Sequence, residues 1–82
     1  MDSEPRTTDR KAKDYRGMGH CAAWIDAIRA GLEEDMTAEE LKDTVSRNVK
    51  HLEFMVALED WGSEDMTAIN AAITNGKAYL AS

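Results

Sequence analysis

The chain has 82 residues, with ten Lys and Arg against sixteen Asp and Glu, for a formal net charge of −6. That length gives one domain with a thin core, worth about 3–5 kcal/mol, and raises the expectation of a homo-oligomer, a common remedy for a small core. A single cysteine excludes an internal disulfide. With no apolar run of spanning length and no basic-then-apolar leader pattern, the expected setting is cytoplasmic, away from membranes.

The charge is unevenly placed. Residues 1–16 hold Arg6, Arg10, Lys11, Lys13 and Arg16 against four acids, a net of +1, whereas residues 17–82 carry −7. This suggests a polar N-terminal arm (1–16) followed by an acidic domain (17–82). An acidic body argues against sequence-specific nucleic-acid binding, which needs a basic footprint.

Met1 to Thr8 is polar, includes the one proline (Pro5) and shows no periodicity, so it reads as a tail. Asp9 to Arg16 can add a short helical segment with Asp9 as its N-cap. Gly17-Met18-Gly19 predicts a break or kink, because two glycines cost a helix roughly 2 kcal/mol relative to alanine.

Three later stretches repeat an apolar residue every three or four positions, the spacing of one helix face. Met18, Cys21, Ile25, Ile28 and Leu32 define a first helix over His20 to Glu34. Leu41, Val45, Asn48, Leu52 and Met55 define a second, opened by the capping box Thr37-Ala38-Glu39-Glu40 and running to Asp60, with Gly62 as its left-handed cap. Met66, Ile69, Ile73, Gly76 and Leu80 define a third, with Ser63 as N-cap, Glu64 and Asp65 in the first turn, and Gly76 as a close-approach point rather than a terminus. Short connections make neighbouring helices antiparallel. The expected fold is all-α, a small antiparallel three-helix bundle with a short N-terminal arm that can itself be helical.

The middle helix is apolar on two sides. Phe54, Leu58 and Trp61 form a second stripe, which either packs between the flanking helices or, joined by Trp24, serves as an interface. Asn48 falls in the main stripe. It either sets register as a buried polar residue, or lies at the edge while Val49 takes the core position.

Residues for catalysis or metal binding do not assemble on paper. His20 and Cys21 point about 100° apart on a helix, His51 is thirty residues away, and no glycine loop follows a strand. No enzyme activity, cofactor or metal is expected, and Cys21 reads as a small hydrophobe.

Glu33, Glu34 and Asp35 crowd the expected C-terminal end of the first helix, and Glu59 and Asp60 that of the second, where negative charge is unfavourable. Charge that costs stability is a candidate for function, here capture of a basic surface on a partner protein. Plain solubility is the competing explanation. The basic arm, Arg10, Lys11, Lys13, Tyr15 and Arg16, can hold a phosphate or fold back on the acidic body.

Tyr15-Arg16, Ile25-Asp26-Ala27-Ile28-Arg29 and Asn70-Ala71-Ala72-Ile73 resemble pieces of the helical-hairpin phage proteins that sequester cyclic-nucleotide immune signals, over less than a fifth of the chain. That resemblance implies an oligomer gripping nucleotide phosphates, with Tyr15 and Arg29 as the contact candidates. The leading expectation is nevertheless a non-enzymatic acidic protein-binding module, an inhibitor or adaptor of the kind that phage and mobile elements direct at host machinery. An oligomeric small-ligand sponge using the basic arm and a structural oligomerisation subunit are the alternatives.

Overall fold

The structure, a computed structural model, describes residues 8–82. The polar tail before Thr8 lies outside them. Three helices follow in order: α1 (Thr8–Arg29), α2 (Ala38–Leu58) and α3 (Thr67–Ala81). No strand occurs among the described residues. The expected all-α three-helix bundle is what the chain forms.

The first helix corrects the expected boundaries at both ends. α1 runs unbroken through Gly17 and Gly19. The cost of two glycines is set against burial of Met18, at 0% exposure, and against two anchors near its start. The Lys11 ammonium donates to the Asp60 carbonyl at 2.7 Å, and the Tyr15 hydroxyl donates to the Asp65 carbonyl at 2.6 Å.

At its far end α1 stops at Arg29, not Glu34. Gly31 adopts φ +78°, its N–H donates to Ile28, and the Leu32 N–H donates to Ala27. Those paired bonds with a left-handed glycine make a Schellman ending. Leu32, expected in the core stripe, is therefore thrown outward to 68% exposure.

In α2 the capping box forms as expected. Thr37 Oγ1 accepts from the Glu40 N–H at 3.1 Å, and Glu40 Oε1 accepts from the Thr37 N–H at 2.8 Å. Val45, Val49, Leu52 and Met55 are buried. Val49 takes the inward position, while Asn48 stands half-buried at the edge and donates to the Thr44 carbonyl at 2.9 Å. The helix ends at Leu58 with Glu59 as an extended C-cap. Gly62 is not left-handed, because Gly31 is the one described residue with positive φ.

α3 starts at Thr67, so Ser63 is not its cap. Met66 takes the N-cap position without a side-chain bond, and Asp65 just before it accepts the Thr67 N–H at its Oδ1, 3.0 Å away. As expected, the helix continues past Gly76 through Leu80. A Cβ at Gly76 would stand 2.5 Å from Val49 Cγ2 and 3.5 Å from Ile25 Cγ2, so the glycine lets α3 approach both other helices.

Cross-links between elements show the topology. Tyr15 near the start of α1 meets Asp65 before α3, and Lys42 near the start of α2 donates to Ser82 at the end of α3. The chain thus runs up, down and up, with α1 and α3 parallel. The two connections lie at opposite ends of a body measuring 43 × 25 × 19 Å. Met18, Ile25, Val45 and Leu52 are the most deeply buried large side chains, at the middle of the three-way contact.

Candidate functional site

The charge follows the topology. Residues 30–37 contain Glu33, Glu34 and Asp35 and no basic side chain; residues 59–66 contain Glu59, Asp60, Glu64 and Asp65 and none either. The three helices between and around them hold nine basic against seven acidic residues. Both ends of the bundle are acidic, and its shaft is slightly basic.

The α2–α3 end is the more structured. After Glu59, the Asp60 carboxylate accepts from the Gly62 N–H at 2.9 Å, an Asx turn that reverses the chain. That turn folds Trp61 inward to 4% exposure. Its indole Nε1–H donates to the Met55 carbonyl at 2.8 Å, satisfying one of the carbonyls the ending helix leaves open. The Glu64 N–H closes a second turn onto the Trp61 carbonyl at 2.8 Å. Lys11 lies 5.6 Å from the Trp61 ring centroid while bonded to Asp60, so α1 clamps the loop from one side.

The result is an open cleft of about 370 Å³ between the loop and the two helices it joins. Its lining includes Val56, Trp61 and Met66 as apolar surface, the carboxylates Glu59, Asp60 and Glu64, and the Asn70 amide. Asp65 stands beside it. Its carboxyl is held below the usual aspartate range, first by the backbone N–H of Thr67 and then by the Thr67 hydroxyl.

The opposite end carries a second cleft, about 330 Å³, lined by Asp35, Met36, Glu40, Asp43, Thr44 and Arg47. Here the acids serve local structure: Glu40 closes the capping box and Asp43 pairs with Arg47 at 2.6 Å. Glu33 and Glu34 are outside its lining.

The structure therefore divides the residues singled out from the sequence. Glu59 and Asp60 come together and gain Glu64, Trp61 and Met66 as neighbours. Glu33, Glu34 and Asp35 lie in a connection beyond Gly31 rather than in a helical last turn, so the dipole conflict expected for them does not arise. Trp24, Phe54 and Leu58 are exposed, but Trp61 is buried beneath Lys11 and does not continue their stripe.

The basic candidates do not converge on one anion site. Arg10 pairs with Asp14 at 3.8 Å and Arg29 with Asp26 at 3.8 Å, and these two arginines stand about 28 Å apart along α1. Lys11 and Tyr15 are committed to the α2–α3 loop. Lys13 and Arg16 are exposed. Cys21 is half-buried, and burial pushes its thiol pKa up, away from the reactive thiolate. Among the described residues no group of His, Cys, Asp and Glu is placed to hold a metal ion. No helix there is long and apolar enough to cross a membrane.

Sequence reasoning missed Glu64, Val56, Met66 and Asn70 as parts of the site. The signal was the run Glu59-Asp60-Trp61-Gly62, an acid–aromatic–glycine turn that closes a helix rather than extending it. No family, curated protein or solved structure matches this chain.

Proposed function

We propose that this chain is a non-enzymatic protein-binding module whose α2–α3 cleft receives a basic side chain from a partner protein. The observation that carries this reading is the cleft's composition, with carboxylates of Glu59, Asp60 and Glu64 set around the half-buried Val56 and Met66, which the buried Trp61 ring backs. An arginine or lysine combines an aliphatic stem with a cationic head, and such a cleft can accept both parts. The loop is already held by the Trp61, Asp60 and Lys11 bonds, so little ordering entropy is lost on binding.

An inhibitor or adaptor role on a basic surface agrees with this chemistry, and the acidic ends would steer such a partner toward the cleft. The test is calorimetric titration with a hexa-arginine peptide. The expected result is saturable binding that weakens with added salt and falls about tenfold or more in Glu64→Lys. Equal binding by the Glu64→Lys variant would overturn the assignment of the cleft.

A further inference from the structure

The rim of the α2–α3 cleft is held by the first turns of α1. Lys11 bonds the Asp60 carbonyl and stands over the Trp61 ring, and both residues line the cleft. Tyr15, four residues on, holds the Asp65 carbonyl. α1 starts at Thr8, three residues before Lys11, which is about 5 Å farther along the axis and about 60° around it. The helix therefore starts beside the acidic loop, on the side of α1 that clamps it. Residues 1–7 precede it and contain one cation, Arg6. Two residues of chain span at most about 7 Å, so Arg6 is tethered close to the loop.

Residues 59–66 hold four carboxylates and no basic side chain, and a cation brought among them relieves their mutual repulsion. The described cations of α1 are placed elsewhere. Lys11 is engaged at the rim by the Asp60 carbonyl, and Arg10 pairs with Asp14. Lys13 stands about 160° and Arg16 about 140° from Lys11 around the helix, on the side away from the loop. Arg29 lies at the far end, paired with Asp26. Arg6 is the cation of this arm that remains. The acids of the same segment, Asp2 and Glu4, are farther from Thr8 than Arg6 is, and an open cleft requires only Arg6 to enter.

We infer that Arg6 occupies the α2–α3 cleft in the free protein, as a self-ligand that a basic partner must displace. The inference rests on the reading of that cleft as a receptor for a basic side chain, and adds how its access is regulated. A short tether holds a group at an effective concentration on the order of millimolar. That competes with a single weakly bound cation, but yields to a surface that presents several basic side chains together. The apparent affinity of any partner falls in proportion to the fraction of molecules whose cleft is empty. The arm thus sets a threshold that favours strongly basic partners over isolated cations.

The test compares the full-length wild type with Arg6→Ala, and with Lys13→Ala, which removes the same charge from the opposite side of α1. In ¹⁵N spectra without peptide, Arg6→Ala should shift the Trp61 indole and the Glu64 and Asn70 amides, and Lys13→Ala should not. In calorimetric titration, Arg6→Ala should bind hexa-arginine about threefold or more tighter than wild type, with Lys13→Ala unchanged. Spectra of Arg6→Ala that match wild type at those three residues overturn the self-ligand, whatever the peptide does. An equal gain in affinity from Lys13→Ala assigns the effect to net charge and also overturns it. The two readings fail separately. Peptide binding of equal strength in wild type and Arg6→Ala keeps the partner site and removes the self-ligand. Shifts in Arg6→Ala with no peptide binding by any form keep Arg6 in the cleft and remove the partner.

Discussion

The two connections of this bundle are both short and both acidic, yet they are built differently. Residues 59–66 fold around a buried tryptophan and are clamped by α1 through Lys11 and Tyr15. Residues 30–37 hold no buried side chain, and their conformation rests on local backbone devices, the left-handed Gly31 and the Thr37 capping box. Similar composition thus yields an acidic cleft anchored by a buried ring and by α1 at one end, and at the other an exposed acidic segment with an outward leucine beside a cleft shaped by α2. A preformed site suits recognition of a side chain, whereas an exposed charged segment suits complementarity with a broad surface.

The largest effect that separates the two ends is expected at Trp61. Trp61→Ala removes a buried ring and leaves the Met55 carbonyl without its indole donor, so thermal or urea denaturation should show a loss of about 3–5 kcal/mol. If Trp61→Ala costs less than 1 kcal/mol, the α2–α3 end is not the anchored one. At the other end, Thr37→Ala removes the capping box and should cost about 1 kcal/mol in the same measurement. An effect as large as that of Trp61→Ala would erase the contrast between the connections.

A smaller effect appears in the pH dependence. Asp65 has a folded pKa below its unfolded value, so the stability it contributes is fully present above the ordinary aspartate range and is lost as pH falls through the folded pKa. Denaturation midpoints of wild type and Asp65→Asn, followed from pH 7 down to pH 2, should therefore converge on the acid side. A gap that widens on acidification would contradict the bond from Thr67 as its cause.

The helices were legible in the sequence because the three-to-four spacing of apolar residues is long and repeated in each. Their ends were less so. Leu32 keeps the spacing on paper, but Gly31 turns the chain before that residue is reached, and periodicity carries no backbone dihedral. Trp61 similarly follows Phe54 and Leu58 by helical spacing, yet the helix has already ended, and the Asx turn at Asp60 places its ring inside. Gly17 and Gly19 argued for a break that does not occur, because propensity is a local cost and the anchors at Lys11, Tyr15 and Met18 are tertiary gains. The acidic clusters were visible as composition. That one of them forms a cleft depended on Trp61 and on contacts fifty residues apart in the chain, which no local pattern encodes.

The assignment of the α2–α3 cleft can be tested most directly by titrating the ¹⁵N-labelled chain with hexa-arginine peptide and following the Trp61 indole and Asn70 amide resonances. We predict shifts concentrated at Trp61, Glu64, Met66 and Asn70 that saturate at low salt and diminish at high salt, with little change at residues 33–35. Shifts centred on residues 33–35, or spread evenly over both acidic ends, would contradict it.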